Sequence, residues 1–153
     1  MKSMKRNTYT FTVKIGDWSA VIETHSDHSL YELAKAILSA AKFENDHAFG
    51  FYEPDYFKPG LRGRVDRSGF EQYTLFADMD EGDAEAHDPG VQGTPVGEVF
   101  EVGVPYVFLF DYGDDWRFDL VCTNIAMGTK LRKKTAILST TGEPPEQYPD
   151  YEE

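Results

Sequence analysis

Thr8-Tyr9-Thr10-Phe11-Thr12-Val13-Lys14-Ile15-Gly16-Asp17-Trp18-Ser19-Ala20-Val21-Ile22 is the stretch that decides the fold. Up to Ile15 the residues alternate, with Tyr9, Phe11, Val13 and Ile15 on one side and Thr8, Thr10, Thr12 and Lys14 on the other. Period two in β-branched and aromatic residues marks a half-buried strand. Gly16-Asp17 then makes a two-residue hairpin loop, glycine supplying the positive φ that such turns require. This loop sets the register: Ile15 opposite Trp18, Val13 opposite Ala20, Phe11 opposite Ile22. Trp18, Ala20 and Ile22 thereby join the apolar face of the first strand.

Working outward, Ser29 and Glu32 have the spacing of a capping box, in which each side chain satisfies a backbone N–H of the other. Leu30, Leu33, Ala34, Ile37, Leu38 and Ala41 follow as one apolar stripe at helical spacing. A helix is expected over residues 29–42, lying on the hairpin's apolar face in a ββα opening, with Asn45-Asp46 as its exit. Ala48–Tyr52 reads as a strand with Phe49 and Phe51 on one side. Tyr106–Asp111 is apolar on both faces and therefore central. Trp116–Ile125 alternates again, and Tyr112-Gly113-Asp114-Asp115 joins the two. Gln72–Phe76 and Thr135–Ser139 complete the set of strands. Thr94-Pro95 reads as an N-cap followed by proline at the first helical position of a single turn.

The expected fold is therefore α+β: an antiparallel-rich mixed sheet with one main helix packed on it. No internal repeat or long polar linker divides the chain, so a single domain over residues 1–153 is expected. Residues 54–93, rich in glycine and proline, read as a long loop whose acidic part, 78–93, is expected to be mobile. Residues 147–153 form an acidic tail.

The totals bound the function. A chain of 153 residues, 41% hydrophobic and 14% aromatic, has material for a core without metal or disulfide. Its one cysteine, Cys122, has no partner within the chain and suits a reducing compartment. The N-terminal lysines are not followed by an apolar segment, and no run approaches the ~20 apolar residues of a membrane span. A cytoplasmic protein without a membrane partner is expected. A net charge of −12 repels phosphates and anionic lipid at long range, so nucleic acid is an unlikely partner. The cations cluster at Lys2, Lys5 and Arg6, at Arg62, Arg64 and Arg67, and at Lys130, Arg132, Lys133 and Lys134; solvated surface is the ordinary reading of each.

Most motifs fail on inspection. Counted from Asp78 as an EF-hand loop, position five is Gly82, position six Asp83 and position twelve Pro89, so the oxygen ligands and the glycine fall in the wrong places. His25 and His28 flank the helix start with no third ligand beside them, and no metal or cofactor is expected. Cys122 shares a strand face with Trp116, Phe118 and Leu120, which reads as a buried, inert thiol. There is no nucleophile elbow, phosphate loop or dinucleotide fingerprint.

Asp111-Tyr112-Gly113-Asp114-Asp115-Trp116-Arg117 remains. Three carboxylates crowded into a turn repel one another, which raises a carboxyl pKa or calls for a cation; Arg117 could be that cation. The plainer reading is equally available, since Asp and Gly are ordinary turn residues and Asp side chains bond nearby backbone N–H groups.

Phe110 to Arg117 resembles the tyrosine-aspartate-phenylalanine-glycine-aspartate-aspartate-tryptophan signature of the plasmid pRiA ORF-three-like family, whose members are often labelled passenger or TnpR-type proteins of an insertion element. Asp46-His47-Ala48-Phe49-Gly50-Phe51 resembles that family's histidine-containing strand, and Gly142-Glu143-Pro144-Pro145-Glu146 its Pro-Pro-Glu segment. The resemblance implies an α+β fold without an established activity and an association with mobile elements. Phe118 and Phe49 stand where many members carry histidine, which removes possible ligands or bases. The recombinase-flavoured label would need an activated serine with basic DNA contacts, and neither is apparent.

Two functional expectations result. The leading one is a non-catalytic binding module for a protein or small-molecule partner. Its surface comprises Asp111, Gly113, Asp114, Asp115, Trp116 and Arg117, with His47 and the Pro144, Pro145, Glu146 segment close by. The other is a metal-assisted hydrolase, or another enzyme, using Asp111, Asp114 and Asp115 with His47 as a base.

Overall fold

A computed structural model of the chain describes residues 5–57, 72–75, 90–130 and 135–148. Its strands are β1 (Lys5–Ile15), β2 (Trp18–His25), β3 (Phe49–Tyr52), β4 (Gln72–Thr74), β5 (Pro105–Phe110), β6 (Trp116–Lys130) and β7 (Ala136–Thr141). They form one sheet in the order β4-β3-β5-β6-β1-β2-β7. The hairpin register is the expected one, with Ile15, Val13 and Phe11 opposite Trp18, Ala20 and Ile22 around a Gly16 at φ +56°.

The expected fold class is overturned. Among the described residues all the ladders are antiparallel, so the sheet is not mixed, and seven strands against one eleven-residue α-helix, α1 (Leu30–Ala40), make the fold sheet-dominated. A ββα opening is not its organising unit. β1 pairs on its other side with β6, and β2 with β7, so the hairpin sits inside the sheet. The physical reason lies in the connections. Among the described residues only β2 to β3 passes through an α-helix, the kind of crossover that parallel neighbours need, and it spans three intervening strands. β2 and β3 run the same way but never touch.

Core residues share one face: Phe11 and Val13, Trp18 and Ile22, Phe49 and Phe51, Phe108 and Phe110, Phe118 and Leu120, all buried with α1's Leu33, Ala34 and Ile37. Two register shifts between β1 and β6 keep this face coherent, one lying between Thr10 and Phe11, so that Tyr9 meets Ile125 while Phe11 meets Cys122. Phe100 and Val96 come from the segment before β5; there Thr94 does not cap a helix but gives its hydroxyl to the Gly90 carbonyl at 2.6 Å. Cys122 is fully buried, and burial pushes its thiol pKa up.

The C-terminal end of α1 positions the segment that leads into β3. Ser29 and Glu32 form the capping box at the helix start. At its end Lys42 takes a left-handed φ of 63°, and the Phe43 N–H donates to the Leu38 carbonyl at 2.9 Å, the closure of a Schellman cap. Phe43 thereby turns into the core, 5.2 Å from Trp116 and 6.1 Å from Phe110, ring centroid to centroid. Among the described residues no helix is long and apolar enough to cross a membrane. The Arg62–Arg67 cluster, Lys2, Arg132 to Lys134, Phe76, the acidic run 78–89 and the tail beyond Tyr148 lie outside the described residues.

Candidate functional site

β5 and β6 are joined by residues 111–115, with Phe110 paired to Trp116 at the base of the loop. Asp111 governs this turn. It is buried and left-handed at φ 64°, and its Oδ1 accepts N–H bonds from Gly113 at 3.1 Å and Asp114 at 3.2 Å. Its carbonyl accepts from the Asp115 N–H at 2.6 Å, and its own N–H donates to Ala48 O at 2.9 Å. Asx-type bonding of this kind is what lets an aspartate occupy backbone space that most L residues avoid. Asp115 is left-handed too, at φ 60°, and Arg117 donates to both its oxygens, at 2.9 and 3.1 Å. Both partners are well exposed, so this bidentate pair stabilises by no more than ~1 kcal/mol. The Arg117 guanidinium also lies 4.3 Å from the Phe57 ring centroid, over the single 3-10 turn Pro54–Phe57.

The three carboxylates are therefore separated by their partners. Asp111 turns inward, Asp115 pairs with Arg117, and Asp114 projects into solvent with no side-chain partner among the described residues. Gly113 is exposed, and a Cβ there would meet only Asp111 Oδ1, at an ordinary 3.5 Å. The turn does not require glycine at its tip. Tyr112 folds back, its hydroxyl 2.5 Å from that of Tyr52. Trp116 is half-buried against Phe43, with its indole N–H buried and unpartnered among the described residues.

His47 does join the turn. Its Nε2 lies 3.4 Å from Asp111 Oδ2, 3.7 Å from Asp46 Oδ1 and 2.9 Å from the Tyr148 hydroxyl. That hydroxyl donates to Asp46 Oδ2 at 2.7 Å, so the His47 Nε2–H is the donor to Tyr148. Nothing in the sequence pattern singles out Tyr148, nor its neighbour Gln147, a buried side chain whose amide grips the Glu44 backbone. Gln147 Oε1 accepts the Glu44 N–H at 2.6 Å while Nε2 donates to the Glu44 carbonyl at 3.1 Å and to Asp46 Oδ1 at 3.1 Å. The C-terminal segment is thus strapped onto the α1 exit, and it meets the turn through His47. Pro144, Pro145 and Glu146 do not take part in that contact. They line a concavity of about 500 Å³ with Ala41, Lys42, Glu44 and the strap's own Gln147 and Tyr148.

The Asp46 bond, together with the surrounding carboxylates, raises the Tyr148 pKa to about 12. A phenol so held keeps its proton near neutral pH and is a poor acid–base catalyst there. Among the described residues no group of three or more His, Cys, Asp or Glu side chains is arranged to hold a metal ion. His25 and His28 are buried in the sheet's margin, where His28 Nδ1 is 2.7 Å from the Thr24 hydroxyl and 3.2 Å from that of Thr135.

No protein family and no curated protein matches this chain. Among solved structures, the crystal structure of a protein of unknown function, MM3350 from Methanosarcina mazei Go1, is similar. Its TM-score is 0.65 at 14% sequence identity, and the match covers 91% of this chain and 72% of that one. At such identity the likeness speaks for the fold alone.

Proposed function

We propose that this protein is a non-catalytic binding module whose contact surface is the exposed tip of the β5–β6 turn, Tyr112 to Asp114. The observation that carries this reading is the commitment of the turn's carboxylates to internal partners: Asp111 to two backbone N–H groups, Asp115 to Arg117. What is left outward is a glycine that the turn does not need and one unpaired aspartate on a rigid support. Rigidly held loop tips on a sheet are common places for recognition. An association with mobile elements rests on the resemblance of residues 110–117 to the plasmid pRiA signature. The hydrolase reading has less support, because one unpaired carboxylate neither holds a catalytic metal nor activates water alone.

Thermal melts of the wild type and of Asp111→Asn, Asp114→Asn and Asp115→Asn, with and without magnesium, manganese or zinc, test the reading. The expected result is a wild-type midpoint that no metal moves and an Asp114→Asn midpoint equal to the wild type's. A metal-dependent rise that Asp114→Asn abolishes would overturn it in favour of the enzyme.

A further inference from the structure

At the other end of β5, about 20 Å along the strand from Asp111, two concavities adjoin. One, of about 520 Å³, and another, of about 350 Å³, share Pro54, Pro105 and Tyr106 as common walls. The smaller is floored by Val121 of β6, which pairs with Pro105; its two charged residues, Lys14 and Asp119, face each other across the β1–β6 ladder and offset one another. The larger is rimmed by carboxylates. Two of them, Glu98 and Glu101, are exposed, and their carboxylates make no hydrogen bond or ion pair among the described residues. Val104, which lines the larger concavity, is 42% exposed, and Val102 beside it 54%. They are held firmly: the Gly103 N–H donates to Cys122 O at 2.9 Å and the Val104 N–H to Glu101 O at 3.2 Å.

We propose that this cleft docks an extended segment of a partner protein that carries a basic side chain beside an apolar one. The apolar side chain enters over Pro105 and Val121, and the cation meets Glu98 and Glu101. Charge complementarity identifies the occupant, since an anionic or neutral segment would leave that rim unmatched within a chain of net charge −12. The exposed Val102 and Val104 favour a macromolecular partner over a small amine. A small ligand's pocket buries most of its surface, whereas here Val102 stands outside the concavities and Val104, on the wall of the larger, is 42% exposed. Backbone bonds fix the rim before binding, so little ordering opposes association. This docking site is independent of the β5–β6 turn.

The test uses fluorescence anisotropy with three labelled hexapeptides, acetylated and amidated: alternating Leu and Arg, alternating Ser and Arg, and alternating Leu and Glu. The Leu/Arg peptide should bind the wild type at least tenfold more tightly than either control. A Glu98→Gln, Glu101→Gln double variant should lose at least tenfold, as should Val104→Ser, while an equally neutralised Asp17→Asn, Glu143→Gln variant stays within twofold. Circular dichroism confirms that each variant is folded. Equal binding of the Ser/Arg peptide would overturn the proposal by reducing the effect to general attraction toward an acidic chain. Equal loss in the Asp17, Glu143 variant would overturn it on the same ground, and no detectable binding of the Leu/Arg peptide would overturn it outright.

Discussion

Asp111 supports the β5–β6 turn in two ways that substitution can separate. Its Oδ1 satisfies two backbone donors, and its residue type tolerates a φ of 64°. Asparagine retains both, because its side-chain carbonyl accepts the same bonds and it also enters left-handed space. Glycine keeps only the backbone freedom, and alanine keeps neither. A hydrogen bond to a charged group is worth roughly 1.5–3 kcal/mol, but two long bonds sharing one oxygen come to about 2–3 kcal/mol together. Left-handed backbone adds about 1 kcal/mol for alanine. The contact with His47 at 3.4 Å adds under about 1 kcal/mol, since the imidazole is 42% exposed. Asp111→Ala should therefore lose about 3–4 kcal/mol, Asp111→Gly about 2–3, and Asp111→Asn under about 1. Urea unfolding read as a shift in midpoint at constant slope measures all three. If asparagine proves as costly as alanine, the reasoning fails: the turn would then need the negative charge itself and not an acceptor, and a cation would have to be sought.

The remaining predictions concern the frame and the strap. Ile37→Ala should cost about 2–5 kcal/mol by chemical denaturation, because the side chain is fully buried between α1 and the sheet; a loss under about 1 kcal/mol would contradict its core position. Gly142→Ala and Gly103→Ala form a matched pair at φ +81° and +84°. A Cβ on Gly142 would run into the Asp17 carbonyl while one on Gly103 meets nothing, so Gly103→Ala should cost about 1 kcal/mol and Gly142→Ala clearly more. For Tyr148 the folded pKa is raised to about 12 from an ordinary 10.0, so its contribution to stability is fully present below about pH 10 and is lost as pH rises toward 12. Over that window the stability gap between wild type and Tyr148→Phe should close, and a gap that widens would show that the phenol is not held as a donor to Asp46.

How far the sequence could be read depends on how local the deciding physics is. The hairpin register follows from Gly16-Asp17 alone, and the start of α1 from Ser29 and Glu32, because each device acts within four residues. The sheet order is another matter. β1 pairs with a strand more than a hundred residues away, Phe11 meeting Cys122, and only the shared burial of the two apolar faces selects that partner. An antiparallel-rich sheet was legible from the hairpins, but that no neighbouring strands are parallel was not, since it depends on where the α1 crossover lands and not on any strand's own pattern. At the site, the Asp-rich turn was legible as a turn. That Asp111 and Asp115, and not Gly113, take the left-handed backbone was not, because composition says which residues can adopt it and not which do.

The strap shows why the missed residues were missed. Gln147 and Tyr148 sit in a stretch whose charge reads as tail, and neither has chemistry that spacing could expose. Their role exists only because Lys42 closes α1 in a left-handed cap and Phe43 turns inward against Trp116. That turn carries Glu44, Asp46 and His47 to the foot of the β5–β6 loop, where Ala48 O receives the Asp111 N–H. One end of a helix thus fixes the loop's neighbour, and the neighbour offers the Glu44 backbone and the Asp46 carboxylate that Gln147 and Tyr148 bind. Loosening the cap should therefore reach the turn through Phe43 before it reaches the hairpin, whose register is set within its own two strands.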